Sequence, residues 1–88
     1  MLAITLVRLK QDAASVLESF AAEMNNWCEV QYCFHLSGEF DFVLHATLRD
    51  AQEYGEFHNE RLCRLEVVDR VQAPVLLKKC KELAALPL

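Results

Sequence analysis

The stretch Leu36-Ser37-Gly38-Glu39-Phe40-Asp41-Phe42-Val43-Leu44 constrains this chain more than any other. Gly38 is one of only two glycines in 88 residues. It stands between two runs of alternating side chains, where a reversal needs a residue that tolerates positive φ. Ahead of it Val30, Tyr32, Phe34 and Leu36 fall on one face of a strand. After it Phe40, Phe42, Leu44, Ala46 and Leu48 do the same. Period two on both sides of a glycine predicts a β-hairpin. Glu39 and Asp41 flank the turn although carboxylates form strands poorly. Their presence points to a turn with a role beyond reversing the chain.

The flanking elements follow from the same rules. Residues 2–9 are apolar and β-branched, and read as strand 1. Asp12 is placed to cap a helix running from about Ala13 to Asn25, with Leu17, Phe20, Ala21 and Met24 as its apolar stripe. Asn25-Asn26 ends it. Strand 2 spans about Glu29–Leu36 and strand 3 Phe40–Arg49. Asp50 with Glu53 resembles a capping box for a second helix reaching about Leu65, with Tyr54, Phe57, Leu62 and Leu65 inward. Residues 67–81 read as a long strand 4, interrupted near Pro74, which cannot donate to a ladder. The order β-α-β-β-α-β is the ferredoxin-like arrangement, an α+β fold with two helices on one face of an antiparallel sheet.

At this length one domain is expected, burying only about 60–65% of its unfolded surface. Yet 53% of residues are hydrophobic, so a homo-oligomer is expected. The uncovered sheet face, carrying Gln31, Cys33, His35, Val43, His45 and Thr47, reads as the subunit interface. Its histidines would make assembly sensitive to pH. No segment is apolar for long enough to span a membrane, and Met1 leads into strand 1 without a basic leader, so a cytoplasmic protein is expected. The net charge of −4 argues against nucleic-acid binding by this chain alone. The one basic cluster, Lys78, Lys79 and Lys81, reads as a solvated strand end. Cys28, Cys33, Cys63 and Cys80 contain no Cys-x-x-Cys spacing, and read as reduced thiols. Cys33, His35 and His45 share the open face by parity, but no spacing supports a metal site. Nucleophile-elbow patterns and glycine-rich phosphate loops are missing from the sequence, so neither catalysis nor a cofactor is expected.

The turn itself offers binding chemistry. Backbone N–H groups around Gly38 would take the carboxylate of a free amino acid. Asp41 would take its ammonium through a charge-assisted bond. The competing reading is that Gly38 only turns the chain, Asp41 only caps the turn, and Glu39 is only a solvated charge.

The chain resembles the effector-binding (RAM) domain of the Lrp/AsnC family of transcription regulators. Val7-Arg8-Leu9, Glu29-Val30-Gln31-Tyr32-Cys33 and the Ser37–Leu44 hairpin carry the likeness. So do Arg49-Asp50 with Glu53-Tyr54-Gly55-Glu56-Phe57, then Val75-Leu76-Leu77-Lys78-Lys79 and Ala84-Ala85-Leu86-Pro87-Leu88. The resemblance implies dimerisation through the sheets, with further assembly to tetramers or octamers. It implies an amino acid effector near the glycine turn, with Ser37, Gly38, Glu39, Phe40, Asp41, Ala73 and Pro74 at the site, and no direct DNA binding. The family's helix-turn-helix precedes this domain and is missing from these residues, so the expectation is a stand-alone or excised domain that tunes oligomerisation of itself or of a full-length regulator. Ala73-Pro74 stand where the family carries hydroxyl side chains, and Glu66-Val67 where it carries Pro-Gly. Two other readings stay open: a small dimeric ferredoxin-like enzyme, and an assembly domain without effector.

Overall fold

The computed structural model describes residues 2–74 and 80–81. Among them, four strands form one antiparallel sheet: β1 (Leu2–Leu9), β2 (Val30–His35), β3 (Phe42–Thr47) and β4 (Val68–Gln72). Their spatial order is β2-β3-β1-β4, so the central pair is β1 with β3. This is the ferredoxin-like arrangement expected. Helix α1 (Ala14–Asn25) lies between β1 and β2, and α2 (Ala51–Gly55) begins the connection from β3 to β4.

The core follows strand parity. Ala3, Thr5, Val7 and Leu9 of β1 are buried, as are Phe42, Leu44 and Ala46 of β3. Phe20 and Met24 of α1 close over them, with the Phe20 and Phe42 rings 4.9 Å apart. Trp27 completes one end, edge-on to Phe57 at 5.7 Å and beneath the Arg61 guanidinium at 4.2 Å.

Helix boundaries depart from expectation in two places. The cap of α1 is Ala13, whose carbonyl accepts the Val16 and Leu17 N–H groups at 3.0 and 3.1 Å. Asp12 lies one residue too early to serve. At α2, Asp50 does cap: its carboxylate accepts the Glu53 N–H at 2.9 Å. The reciprocal half of the box is not made, because the Glu53 carboxylate instead pairs with Arg49 at 2.6 Å.

Beyond Gly55 the helix rewinds into a π-helix, Glu56–Leu62, and the Cys63 N–H reaches back five residues to the His58 carbonyl at 3.0 Å. Phe57 and Leu62, also five apart, are both buried, at 2% and 0% exposure. Regular α-winding would turn them about 140° apart at 3.6 residues per turn. The wider turn brings them to the same side.

The largest correction concerns β2. Val30 pairs with Ala46, but Tyr32 pairs with His45, so Gln31 is the extra residue of a bulge. The bulge inverts parity. Val30, Cys33 and His35 face the helices, with His35 stacked on Phe42 at 5.1 Å. Tyr32 and Phe34 face outward with Val43 and His45. Cys33 and His35 therefore do not share the open face with His45, and Val30 does not share a face with Tyr32 and Phe34. The open face becomes more apolar than the sequence alternation implied: Tyr32 is 57% exposed, Phe34 51% and Leu2 53%.

A second bulge lies between β1 and β4. Arg8 pairs with Arg70 and Leu9 with Val68, which leaves Asp69 as the extra residue. β4 ends at Gln72, short of the long strand expected; its remaining portion and the apolar tail at 84–88 lie outside the described residues.

Two outcomes follow. Leu44 is fully buried, so Leu44→Ala is expected to cost about 2–5 kcal/mol in chemical denaturation. Burial pushes the Cys33 thiol up. Its proton is then held more tightly folded than unfolded, so this contribution is complete below the unfolded thiol's range and is lost as pH rises from there through the raised folded value. The urea midpoint is expected to fall above about pH 8.5, the ordinary thiol range, and Cys33→Ala to reduce that fall.

Candidate functional site

The turn after β2 is fastened to the sheet by Asp41. The Leu36 N–H donates to the Asp41 carbonyl at 2.8 Å, and the Asp41 N–H donates to the Val7 carbonyl at 2.9 Å. The Asp41 carboxylate accepts the Leu9 N–H through Oδ2 at 2.7 Å. Asp41 thus joins the ends of three strands. The carboxylate proposed from sequence for an ammonium group is engaged in holding the corner.

Ser37, Gly38 and Glu39 stand exposed above it. Gly38 has φ +125°, a conformation that L side chains rarely adopt. A Cβ there would meet no atom within 4 Å, so any substitution penalty is backbone strain alone. Phe40 is half-buried, with the Arg70 guanidinium 5.2 Å from its ring. Arg70 also pairs with the Glu39 carboxylate at 3.3 Å. A cation from β4 and an anion from the turn therefore meet at one corner of the sheet.

Ala73 and Pro74 are not brought to this corner within one protomer. Gln72 lies opposite Leu6, which puts Ala73 level with Thr5, whereas Asp41 is level with Arg8. The separation along the strands is roughly 10 Å at about 3.3 Å per residue, with β1 between.

Clefts open elsewhere among the described residues, two of them against α1 or the residues just before it. One, of about 390 Å³, lies between α1 and β2 and includes Ala21, Met24, Gln31 and Cys33. The other, of about 220 Å³, is lined by Lys10, Gln11, Val16, Glu66 and Val67. Neither includes the exposed glycine turn. On the helical side, the Cys63 Sγ lies 3.8 Å from the His58 Nδ1, and the His58 and Tyr54 rings are 6.0 Å apart. Burial pushes the Tyr54 phenol up, opposed by the neighbouring Thr5 hydroxyl, whose oxygen is buried without a hydrogen bond of full geometry. Among the described residues, three or more His, Cys, Asp or Glu side chains nowhere gather in an arrangement that would hold a metal ion.

With this geometry in hand, comparison with known proteins is decisive. A family model described as the Lrp/AsnC ligand binding domain matches residues 2–86. The chain belongs to the Lrp/AsnC ligand-binding domain family. It is 35% identical over 79 residues to the leucine-responsive regulatory protein of Haemophilus influenzae, covering 90% of this chain and 46% of that protein. It superposes with TM-score 0.79 and 32% identity on the transcriptional regulator NMB0573 of Neisseria meningitidis, solved as a complex with L-Met, covering 98% of this chain and 55% of that one. TTHA0845 of Thermus thermophilus, at 17% identity, shares the fold, with TM-score 0.75 and 92% of this chain and 98% of that one covered. The chain spans about half the length of the curated relatives it matches. Among the described residues, no helix is long and apolar enough to cross a membrane.

Sequence reasoning named the turn but missed Arg8 and Arg70. Arg8 is a lone cation in an apolar strand, and only the register shows that it lies opposite Arg70. Asp41→Ala would leave the half-buried Leu9 N–H without its acceptor, and is expected to cost about 1–3 kcal/mol in urea denaturation. Asp41→Asn keeps an acceptor oxygen and should cost less.

Proposed function

We propose that this domain binds a free amino acid at the Gly38 corner, and that occupancy tunes self-assembly and, through it, a transcription regulator. One observation carries the reading: kinship at 32% identity with a regulator solved as its L-Met complex. The turn suits the task. Its glycine leaves the Ser37–Glu39 backbone open to a close approach. It is exposed outside the two clefts described above, so a second copy would supply a wall for the site.

The open sheet face supports assembly. Leu2, Leu6, Tyr32, Phe34 and Val43 make an apolar surface around His45, whose ring meets Tyr32 and Phe34 edge-on at 5.8 and 6.4 Å. A dimer through this face would remove it from water, and dimers would then pack corner to corner into tetramers or octamers. Partnership with a full-length regulator and a cytoplasmic setting belong to the same reading.

The test is a thermal-shift panel against the twenty amino acids, with sedimentation in parallel. A binder selective for the folded state stabilises by about 2.7 kcal/mol at a hundred times its Kd. One or a few amino acids should raise the Tm, and the mass should be at least that of a dimer. Phe34→Asp, which places a charge on the open face, should shift the mass towards monomer. A flat panel with intact assembly would support instead an effector-free assembly domain, the reading that Ala73-Pro74 keeps open.

A further inference from the structure

The corner holds a charge arrangement that the fold alone does not need. Arg8 of β1 and Arg70 of β4 are direct cross-strand partners on the open side of the sheet. Like charges directly opposite one another destabilise a strand pair. The bulge at Asp69 falls beside them, and bulges commonly re-aim side chains near binding sites. Arg70 is drawn to the turn, with Glu39 at 3.3 Å and the Phe40 ring at 5.2 Å. Glu39 pairs with Arg70, and the Asp41 carboxylate, level with Arg8, supplies the corner's second negative charge while its Oδ2 is held by the Leu9 N–H. Arg8 has no ion pair of its own among the described residues and is exposed beside the open glycine turn.

Resting on the amino acid reading above, we propose that Arg8 and Arg70 together hold the ligand's α-carboxylate, and that Glu39 receives its ammonium. Guanidinium groups present paired donors that match a carboxylate in two-point geometry. Glu39 is the exposed carboxylate of the turn, whereas Asp41 is committed to the Leu9 N–H. Cation, anion and open backbone thus meet in a layout complementary to a zwitterion. Leu6 and Val43, one step inward, begin the apolar surface, so the arginine pair sits at its rim.

The test is isothermal titration of the intact chain and of Arg8→Gln and Arg70→Gln, first with each of the twenty amino acids and then with the carboxamide of the tightest binder. Both variants should lose at least tenfold in affinity, with melting temperature and sedimenting mass near wild type. Wild type should bind the carboxamide at least tenfold more weakly than the acid. Wild-type affinity in both variants, or equal binding of acid and amide, would overturn the arginine assignment while leaving amino acid binding standing. Absence of binding by wild type to any amino acid would overturn both. Arg8→Lys and Arg70→Lys separate charge from geometry: they should recover only part of the lost affinity, and full recovery would overturn two-point recognition.

Discussion

Asp41 is the residue on which the rest of the molecule depends. Its backbone closes the turn to Leu36 and bonds to Val7, while its carboxylate takes the Leu9 N–H. With these bonds made, β1 and β3 are held in register from Phe42 opposite Val7 to Thr47 opposite Leu2. That register sets parity, and parity puts Val7 and Leu44 into the core and Leu6 and Val43 outside it. The same corner presents Gly38, Glu39 and the two arginines. The acidic residues of this strand-like stretch do different work: Asp41 binds backbone, and Glu39 meets Arg70.

The central hairpin, the element order and the core stripe of α1 were legible in the sequence because each rests on local periodicity. Phe20 and Met24 sit where the helical spacing put them. The bulge at Gln31 was not legible. Val30, Gln31 and Tyr32 keep an ordinary alternation, with no glycine to mark the extra residue, and the shift shows only against the β3 partner. The consequence reached Cys33, His35 and His45, which alternation placed together and pairing separates. The π-helix was hidden likewise, since five-residue spacing of Phe57 and Leu62 has no signature among helical patterns. At the candidate site, Ser37, Gly38 and Glu39 were readable from turn chemistry. Arg8 and Arg70 were not, because they lie 62 positions apart and only strand pairing brings them together.

The inverted parity also strengthens the case for assembly. Had Val30, Tyr32 and Phe34 faced the helices together, the open face would have carried thiol and imidazole groups. Instead it carries two half-exposed aromatic rings stacked 5.8 Å apart. An apolar face of that kind marks an interaction surface. The clefts described above do not include the exposed turn at its rim, so under the proposed reading a neighbouring copy would complete the site.

The most direct test is amide and guanidinium chemical-shift mapping of the isotope-labelled chain titrated with the amino acid that stabilises it most. The account predicts that the largest changes fall on Ser37, Gly38, Glu39 and the Arg8 and Arg70 side chains. Changes confined to the groove between α1 and β2, with the Gly38 amide unmoved, would contradict it.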